Sequence, residues 1–404
     1  MSYVAESGAA PGRRVWLGLT CVAVALLAFV SRKPEQWFNP QFWGEDGRVF
    51  FAEAVSLGPA ALIEPYAGYF HLVPRVVAFA ASAAPWEYLP AIYMIVAALG
   101  ASAVAARVAL ADLPLVARVT GAVAMVVVPH SGEVFLNLTN LHWLLGMLLA
   151  VNLLEPAPAT RARALRRALE IAVAGLSGPM VLCLAPFAAL WLVWQRRERR
   201  AGWLGAAWAL AVGVQFLLVA MGPRVATTDT MTVLSALWWV VPRYVMALLV
   251  GEWMRYTQEV AMIFTLLVAP MLTVLFWERK NPYRAQAALL LLAAAGLLVA
   301  GRLANPYWGN PVGGAARYVY VPFVLALWAF GWLSAGAAAR WRRAIAWVLC
   351  GCVVSAGIAH WRGRPQPDLE WSRQVREARE GTRKEFAVQP NLTFPVPTPK
   401  TSAQ

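Results

Sequence analysis

Apolar stretches long enough to cross a membrane recur along this 404-residue chain, from Val15 almost to His360, separated by short polar or basic stretches. A bilayer core about 30 Å thick needs roughly 20 apolar residues per helix. The pattern therefore predicts an all-α fold in which residues 1–360 form a polytopic transmembrane helical bundle of about 10 to 11 segments, followed by a polar tail of residues 361–404. The composition agrees, because 60% of the residues are hydrophobic and only 14% are charged.

Clusters of arginine between the apolar stretches set the expected orientation. Loops rich in Lys and Arg stay in the cytoplasm because their translocation is disfavoured. The clusters occupy residues 13–14, 161–167, 196–200, 279–284 and 340–343. We therefore expect a cytoplasmic N-terminus, an extracytoplasmic tail and an uncleaved first helix. The net charge of +14 is explained by topology, and no nucleic-acid partner is expected.

The first loop that this topology exposes, residues 31–85, is long for a connection in a compact protein. Loops of this length are usually functional or disordered. Its many aromatic and aliphatic residues favour order, with short helices that lie on the membrane surface. Its carboxylates include Glu45, Asp46, Glu53 and Glu64.

Two stretches leave the topology open. Residues 168–194 are too long for one membrane helix and have basic clusters at both ends, which favours a re-entrant or bent hairpin. Its break at Leu176-Ser177-Gly178-Pro179 is expected beside a polar cleft, because non-helical backbone is tolerated at membrane depth only where it is shielded. Residues 234–251 are compatible either with a helix along the outer interface or with a segment that enters the membrane and returns.

Adjacent carboxylates at Glu45 and Asp46 are the first candidates for chemistry. One interpretation is structural, with Asp46 capping a surface helix that begins near Gly47. The other is catalytic, since a carboxylate beside an apolar wall has a raised pKa and can take a proton from a hydroxyl as a general base. The two roles are compatible.

Two polar segments are candidates for binding a sugar. The first, residues 66–75, contains Tyr69, His71 and Arg75, which are typical either of a pocket wall or of the aromatic belt at a membrane interface. The second lies at the outer ends of two helices. Its polar side chains suit either hydrogen bonds to sugar hydroxyls or hydrogen bonds between helices, and are Asn137, Asn140 and His142.

Arginines near the last outer loop are candidates for binding phosphate. Arg302 precedes that loop, and Arg317 with Tyr318 opens the following helix. The planar guanidinium suits phosphate oxygens, although an arginine at this depth also commonly extends to lipid headgroups. Metal chemistry is compatible with the sequence but not required, because the carboxylates are too few to define a site. The four cysteines lie in apolar stretches and are expected to be packing residues.

A long first outer loop with a carboxylate just after the first helix, surface helices within it, and an Arg-Tyr pair opening a late helix together resemble the GT-C class of glycosyltransferases. That resemblance implies a polyprenyl-phosphate sugar donor, an inverting transfer, Asp46 as the base with Glu45 as its neighbour or substitute, and Arg317 as a phosphate contact. The short tail departs from the many members that carry a folded outer domain there.

The chain also resembles a group of bacterial polytopic membrane proteins that share a Trp-x-Glu-Asp-Gly loop, a Gly-Tyr-x-His-Leu-Val-Pro-Arg segment and a Leu-Ser-Gly-Pro break. The second resemblance implies a multi-pass protein of the bacterial inner membrane, and the GT-C resemblance alone implies the function, which is transfer to a glycan or lipid acceptor of the cell envelope. The alternatives are a transporter or flippase of a lipid-linked polysaccharide precursor, and a non-catalytic partner in an envelope assembly. Transport sites tend to lie near the bilayer midplane, where this chain has few charges.

Overall fold

A computed structural model describes residues 11–129, 132–195, 198, 200–222, 232–251, 257–304, 317–363 and 365–398. Helices dominate this part of the chain, in agreement with the predicted all-α bundle. In chain order they are α1 (Pro11–Arg32), α2 (Pro34–Phe38), α3 (Ala52–Leu57), α4 (Leu72–Ala81), α5 (Leu89–Ala109), α6 (Leu115–Val127), α7 (Leu141–Leu154), α8 (Arg161–Gly175), α9 (Met180–Trp194), α10 (Ala201–Met221), α11 (Val233–Val250), α12 (Gln258–Trp277), α13 (Arg284–Ala304), α14 (Arg317–Gly336), α15 (Arg340–Ala359) and α16 (Trp371–Arg379). One antiparallel hairpin follows, β1 (Glu385–Val388) and β2 (Leu392–Pro395).

Among the described residues, seven helices are long and apolar enough to cross a membrane. These are Val15–Arg32, Trp86–Ala109, Ala201–Met221, Gln258–Trp277, Arg284–Gly301, Arg317–Gly336 and Arg340–Ala359. Shorter apolar helices occur at Leu72–Ala81, Leu115–Val127, Leu141–Leu154, Met180–Trp194 and Val240–Val250. The protein is therefore a multi-pass membrane protein, as the pattern predicts. The seven lie within the predicted 10 to 11 segments, and α6, α7 and α9 are further apolar helices of 13 to 15 residues, each shorter than a full bilayer span.

Contacts between loops define two ends of the bundle. Residues 33–88, 132–140 and 365–398 meet at one end, which we call the loop end. The other, which we call the basic end, is formed by residues 107–112, 152–170 and 278–283. Its Arg107 guanidinium lies 2.7 Å from the Glu155 carboxylate and 2.9 Å from that of Glu170. Buried ion pairs of this kind tie α5 and α7 to α8.

Helix α14 lies at the centre of the bundle. In its apolar stretch 89% of the residues are buried, whereas in the apolar stretch of α1 only 11% are buried. Small residues allow α6 and α14 to approach closely. A Cβ at Gly121 would lie 2.6 Å from the Trp328 ring, and one at Gly331 would lie 2.1 Å from Thr120 Oγ1. The Trp328 indole N–H also donates to the Ala117 carbonyl at 2.8 Å. Close packing and an interhelical hydrogen bond are the usual sources of helix association in lipid.

Helices α8 and α9 occupy the stretch predicted as a hairpin. Each has 15 residues, or roughly 22 Å of helix, less than a bilayer core. They meet at residues 176–179, and this turn lies at the loop end, where the Leu176 carbonyl accepts a hydrogen bond from the Leu72 N–H at 2.9 Å. Residues 234–251, which the sequence left unplaced, belong to α11. This helix packs against α12, α13 and α15, and its Tyr244 hydroxyl donates to the Pro322 carbonyl at 2.6 Å.

The C-terminal segment is folded, although it has no core of its own. Trp371 of α16 and Phe386 of β1 are buried against Phe42 and Phe51 of the first loop, with ring centroids 4.8 Å (Trp371–Phe42), 4.8 Å (Trp371–Phe386) and 6.4 Å (Phe51–Phe386) apart. Loop and tail share one aromatic cluster. This explains how a segment too short for an independent domain can be ordered.

Candidate functional site

Segment 42–47, which carries both candidate carboxylates, lies between the bundle and the C-terminal hairpin. The Gln389 N–H donates to the Phe42 carbonyl at 3.0 Å. The two glycines that flank the carboxylates contact the same hairpin. A Cβ at Gly44 would lie 2.9 Å from Leu392, and one at Gly47 would lie 2.8 Å from Val388. A side chain at Gly47 would press on the buried Val388 and Phe394, whereas one at Gly44 would require mainly a shift of the flexible Leu392 side chain.

The Asp46 carboxylate is buried, with 2% of the residue exposed, and binds the loop that precedes α7. It accepts hydrogen bonds from the Leu138 N–H at 3.0 Å, the Thr139 N–H at 2.7 Å and the Thr139 hydroxyl at 2.5 Å. The predicted cap of its own helix is wrong, since the helix beginning at Asp46 has no side-chain cap at Glu45 and the Asp46 oxygens bind residues 138–139 instead. Asp46 thus joins the first loop to α7.

Burial raises the pKa of the Asp46 carboxyl to about 7. The hydrogen bonds from Thr139 and Leu138 oppose this rise, because they stabilise the charged form, whereas the neighbouring Glu45 charge adds to it. The pKa therefore lies close to neutral pH, where a carboxyl group can both hold and release a proton.

Glu45 differs from its neighbour in accessibility. It is only partly buried, and within the described residues its carboxylate makes no hydrogen bond or ion pair. Its charge acts on Tyr66 and Tyr69 of the first loop and on Arg317 of α14. Glu45 is therefore the carboxylate of the pair that remains able to accept a new hydrogen bond.

Arg317 is held at the start of α14 by Glu133. Its guanidinium lies 2.6 Å from the Glu133 carboxylate, and its backbone N–H donates to the same group at 3.3 Å. The guanidinium carbon also lies 5.4 Å from the Tyr318 ring centroid. With 28% of its side chain exposed, Arg317 is oriented but still accessible, which suits the predicted contact with an anion.

Asn137 and Asn140 shape the loop that carries Glu133. The Asn137 side-chain amide donates to the Glu133 carbonyl at 2.7 Å, and that of Asn140 donates to the same carbonyl at 3.0 Å. The Asn137 side-chain oxygen accepts from the Asn140 N–H at 2.9 Å. Their amide groups are thus engaged within the loop, which places both residues behind the site and makes a direct sugar contact less favourable than the sequence suggested.

Aromatic rings from the first loop and from α7 meet beside these groups. The His71 ring lies 4.7 Å from the Tyr69 ring and 5.6 Å from the His142 ring, between centroids. His142 in turn lies 4.6 Å from the Trp143 ring, which contacts Tyr318 at 5.6 Å. The structure therefore brings together Tyr69, His71, His142 and Tyr318, which are far apart in sequence.

Two polar atoms in this ring cluster are buried without a hydrogen-bond partner among the described residues, namely Nε2 of His142 and Nε1 of Trp143. The His71 ring is also buried and lies beside the Tyr66 backbone, which can pair with it. The His142 Nδ1 lies 2.7 Å from the Thr139 carbonyl and must donate to it, so the neutral ring presents a lone pair at Nε2. Burial lowers the pKa of His71 well below its usual value, and His142 and Arg75 add to this effect, which favours a neutral ring. Unpaired buried polar groups cost about 1 to 3 kcal/mol each, so these nitrogens favour any group that can form a hydrogen bond with them.

The remaining predicted residues lie at the margin of the site or outside the description. Arg75 is buried, pairs with Glu53 and stacks its guanidinium 5.1 Å from the Phe50 ring centroid, so it supports the first loop. The side chain of Arg302 and residues 305–316 lie outside the described residues, as do His130 and Ser131.

Sequence reasoning missed three residues at the site. Lys33, interpreted only as the end of the first helix, is 5% exposed with its ammonium 5.3 Å from the Trp43 ring centroid. Burial lowers its pKa to about 8, against the opposing charges of Glu35, Glu133 and Asp46. Thr139 binds Asp46, and Gln215 of α10 binds the first loop. Of these three residues, Gln215 could have been found from the sequence, because a single glutamine in an apolar membrane helix usually has a specific hydrogen-bond partner.

The site and fold together define a multi-pass helical membrane protein with a buried polar cluster at one end of its bundle. Among the described residues, no group of three or more His, Cys, Asp or Glu side chains is placed to hold a metal ion. No family model, curated protein or solved structure matches the chain.

Proposed function

We propose that the protein is a membrane glycosyltransferase that moves a sugar from a polyprenyl-phosphate donor to a glycan or lipid acceptor of the cell envelope. The observation that carries this proposal is the juxtaposition of three chemically different features. A carboxylate at Glu45 with no partner among the described residues, an oriented guanidinium at Arg317 and unpaired ring nitrogens at His142 and Trp143 lie around one end of the bundle. A phosphorylated sugar attached to a lipid presents a matching group to each of them.

The sugar fits the ring cluster. A hydroxyl both donates and accepts, so sugar hydroxyls can donate to the His142 Nε2 lone pair and accept from the Trp143 indole N–H. A bare phosphate, which mainly accepts, would leave the histidine lone pair unsatisfied. The phosphate fits Arg317, whose planar guanidinium binds such oxygens well.

The reaction that follows from this arrangement is a single displacement. The Glu45 carboxylate takes the proton of an acceptor hydroxyl as the oxygen attacks the anomeric carbon. The bond from that carbon to the phosphate oxygen breaks, the polyprenyl phosphate leaves with the bonding electron pair, and the configuration of the anomeric carbon inverts. Arg317 stabilises the negative charge that develops on the departing phosphate, and electrostatic stabilisation of this type is commonly the largest catalytic contribution.

Hydrogen bonding decides between the two carboxylates. The sequence resemblance favoured Asp46 as the base, with Glu45 as its substitute. Both Asp46 oxygens already accept backbone hydrogen bonds, whereas Glu45 accepts none among the described residues. We therefore assign the proton transfer to Glu45 and the positioning of the segment to Asp46.

Orientation follows from the basic clusters. The clusters at 161–167 and 279–284 lie towards the basic end, which supports a cytoplasmic basic end and a loop end, with the site, outside the inner membrane. The lipid carrier would lie between the helices, with its phosphate and sugar emerging at the loop end.

The test is a transfer assay with purified protein in liposomes, supplied with a panel of radiolabelled polyprenyl-phosphate sugars and with envelope glycan extracts. We expect labelled product from the wild type and from Glu64→Gln, a control that alters an exposed carboxylate of the same loop. Glu45→Gln should abolish product formation. Absence of transfer with every donor, together with movement of the carrier across the liposome membrane, would replace this proposal with transport.

A further inference from the structure

Gln215 is a buried polar residue in the middle of α10, an otherwise apolar helix. The residue is 0% exposed, whereas the next two residues, Phe216 and Leu217, are 62% and 58% exposed. A glutamine in such a helix is costly unless its amide is satisfied within the protein. The location of the groups that hydrogen-bond to the Gln215 amide therefore indicates the role of this residue.

Its side-chain amide binds two separate segments. The Gln215 oxygen accepts the Phe70 N–H at 2.8 Å, and the Gln215 nitrogen donates to the Phe70 carbonyl at 3.1 Å. The same nitrogen lies 2.9 Å from the Gly175 carbonyl and 3.3 Å from the Gly178 carbonyl, in the turn between α8 and α9. One amide thus pairs with both backbone groups of Phe70 and holds the α8–α9 turn beside it.

Further hydrogen bonds extend this junction. The Leu72 N–H donates to the Leu176 carbonyl at 2.9 Å, and the Val73 N–H donates to the Ser177 hydroxyl at 3.2 Å. Residues 70–73 therefore lie along residues 175–178. The α8–α9 turn also contacts the ring cluster, since a Cβ at Gly178 would lie 2.9 Å from the His142 ring.

The segment held in this way carries two residues of the site. Tyr69 and His71 flank Phe70, and residues 66–69 form a tight turn in which the Tyr66 and Tyr69 backbones exchange hydrogen bonds of 3.0 and 3.1 Å. Ala67 at φ 52° and Gly68 at φ 82° occupy left-handed conformations in this turn. Glycine adopts this conformation freely, whereas Ala67 carries a Cβ, so the turn is strained at Ala67 and needs support from its surroundings.

We propose that Gln215 is a positioning residue, which sets Tyr69 and His71 against His142 by fastening the 66–71 turn to the α8–α9 turn. The statement that these rings contact a sugar rests on the proposed function. The attachment of the 66–71 turn to the α8–α9 turn rests on the hydrogen bonds of Gln215 alone. It explains why one glutamine interrupts an apolar helix and why the Leu-Ser-Gly-Pro break lies beside the first loop.

Hydrogen exchange measured by mass spectrometry tests the fastening without reference to activity. In detergent-solubilised full-length protein, Gln215→Met should raise exchange in the peptide covering residues 66–73 on the order of tenfold, because the loss of a buried latch lowers the local opening free energy. Leu217→Met, an exposed position on the same helix, should leave it unchanged. Ser177→Ala removes one hydrogen bond from the opposite side and should raise it less. Unchanged exchange in both variants, or an equal rise in every peptide, would overturn the proposal.

Binding of lipid-phosphate probes to the Gln215→Met protein tests this proposal separately from the proposed function. We expect Gln215→Met to weaken the binding of farnesyl-phosphate glucose several-fold while leaving that of farnesyl phosphate within twofold of the wild type, since the turn contacts the sugar end. If exchange rises as expected but no glycosylated probe binds more tightly than farnesyl phosphate, the fastening stands and the sugar site fails. If exchange is unchanged, the fastening fails whatever the probes show.

Discussion

Glu45 and Asp46 are adjacent in sequence and have different environments. Substitution of Glu45 should therefore reduce activity, whereas substitution of Asp46 should mainly reduce stability. We predict that Glu45→Gln lowers the transfer rate at least 100-fold, within the usual range for loss of a general base, with the melting temperature unchanged. Rates and thermal unfolding of the same preparations provide the measurement. A Glu45→Gln protein that retains wild-type activity would exclude the assignment.

Asp46→Asn should act mainly on stability. Both Asp46 oxygens accept backbone N–H groups, and an asparagine amide nitrogen cannot accept, so either the Leu138 or the Thr139 N–H loses its acceptor. We expect a loss of about 1 to 3 kcal/mol, visible as a lower melting temperature. Thr139→Val, which removes only the hydroxyl donor, should cost less. An Asp46→Asn protein as stable as the wild type would contradict the structural role.

The raised pKa of Asp46 predicts a pH dependence with a defined sign. The folded protein holds the Asp46 proton up to about pH 7, whereas the unfolded chain releases it near the ordinary value of 3.8. Because the folded state binds the extra proton between these values, the contribution of Asp46 to stability is greatest below pH 4, falls as the pH rises towards 7 and is level above that. Melting curves at a series of pH values should therefore fall more steeply between pH 4 and 7 for the wild type than for Asp46→Asn. Parallel curves would show that the Asp46 pKa is not raised.

At the scale of elements, the C-terminal hairpin acts on the first loop through the two glycines. A Cβ at Gly47 would lie 2.8 Å from Val388 Cγ1 and 3.0 Å from Phe394. We predict that Gly47→Ala lowers both stability and transfer, because the hairpin and the carboxylate segment must separate, with a cost of about 1 to 3 kcal/mol. Adding Val388→Ala should restore part of the loss. Thermal unfolding of the single and double variants measures this coupling, and strictly additive effects would show that the two positions do not press on one another.

The helices were predictable from the sequence, whereas the contacts of the carboxylate segment were not. Apolar length located most of the bundle helices, because each must satisfy its own backbone in lipid, but it left the stretch that forms α11 unplaced. The glycines of the Gly-Glu-Asp-Gly motif contact a hairpin more than 300 residues away in sequence. The hydrogen bond between Gln389 and Phe42 spans a similar distance along the chain. No local pattern encodes such a contact. The predicted hairpin and its polar surroundings agree with the α8–α9 turn, since that argument depended only on shielding of the break.

At the scale of the whole molecule, the account places the loop end outside the membrane and the basic end in the cytoplasm. Single cysteines in a cysteine-free background test this arrangement. We predict that a membrane-impermeant maleimide labels Ala67→Cys, an exposed loop-end position, in intact cells. Ala159→Cys, an exposed basic-end position, should react only after the cells are permeabilised. The opposite labelling pattern would invert the topology and move the site to the cytoplasmic side.

The central claim is that one cluster at the loop end binds both the phosphate and the sugar of a lipid-linked donor. The most direct measurement is an electron cryomicroscopy map of Glu45→Gln protein in nanodiscs, saturated with a polyprenyl-phosphate sugar that the wild type turns over or, failing that, binds. The account predicts phosphate density beside Arg317 and sugar density against Tyr69, His71 and His142, with the prenyl chain between helices. Density for the donor elsewhere, or along a continuous passage through the bundle, would contradict it.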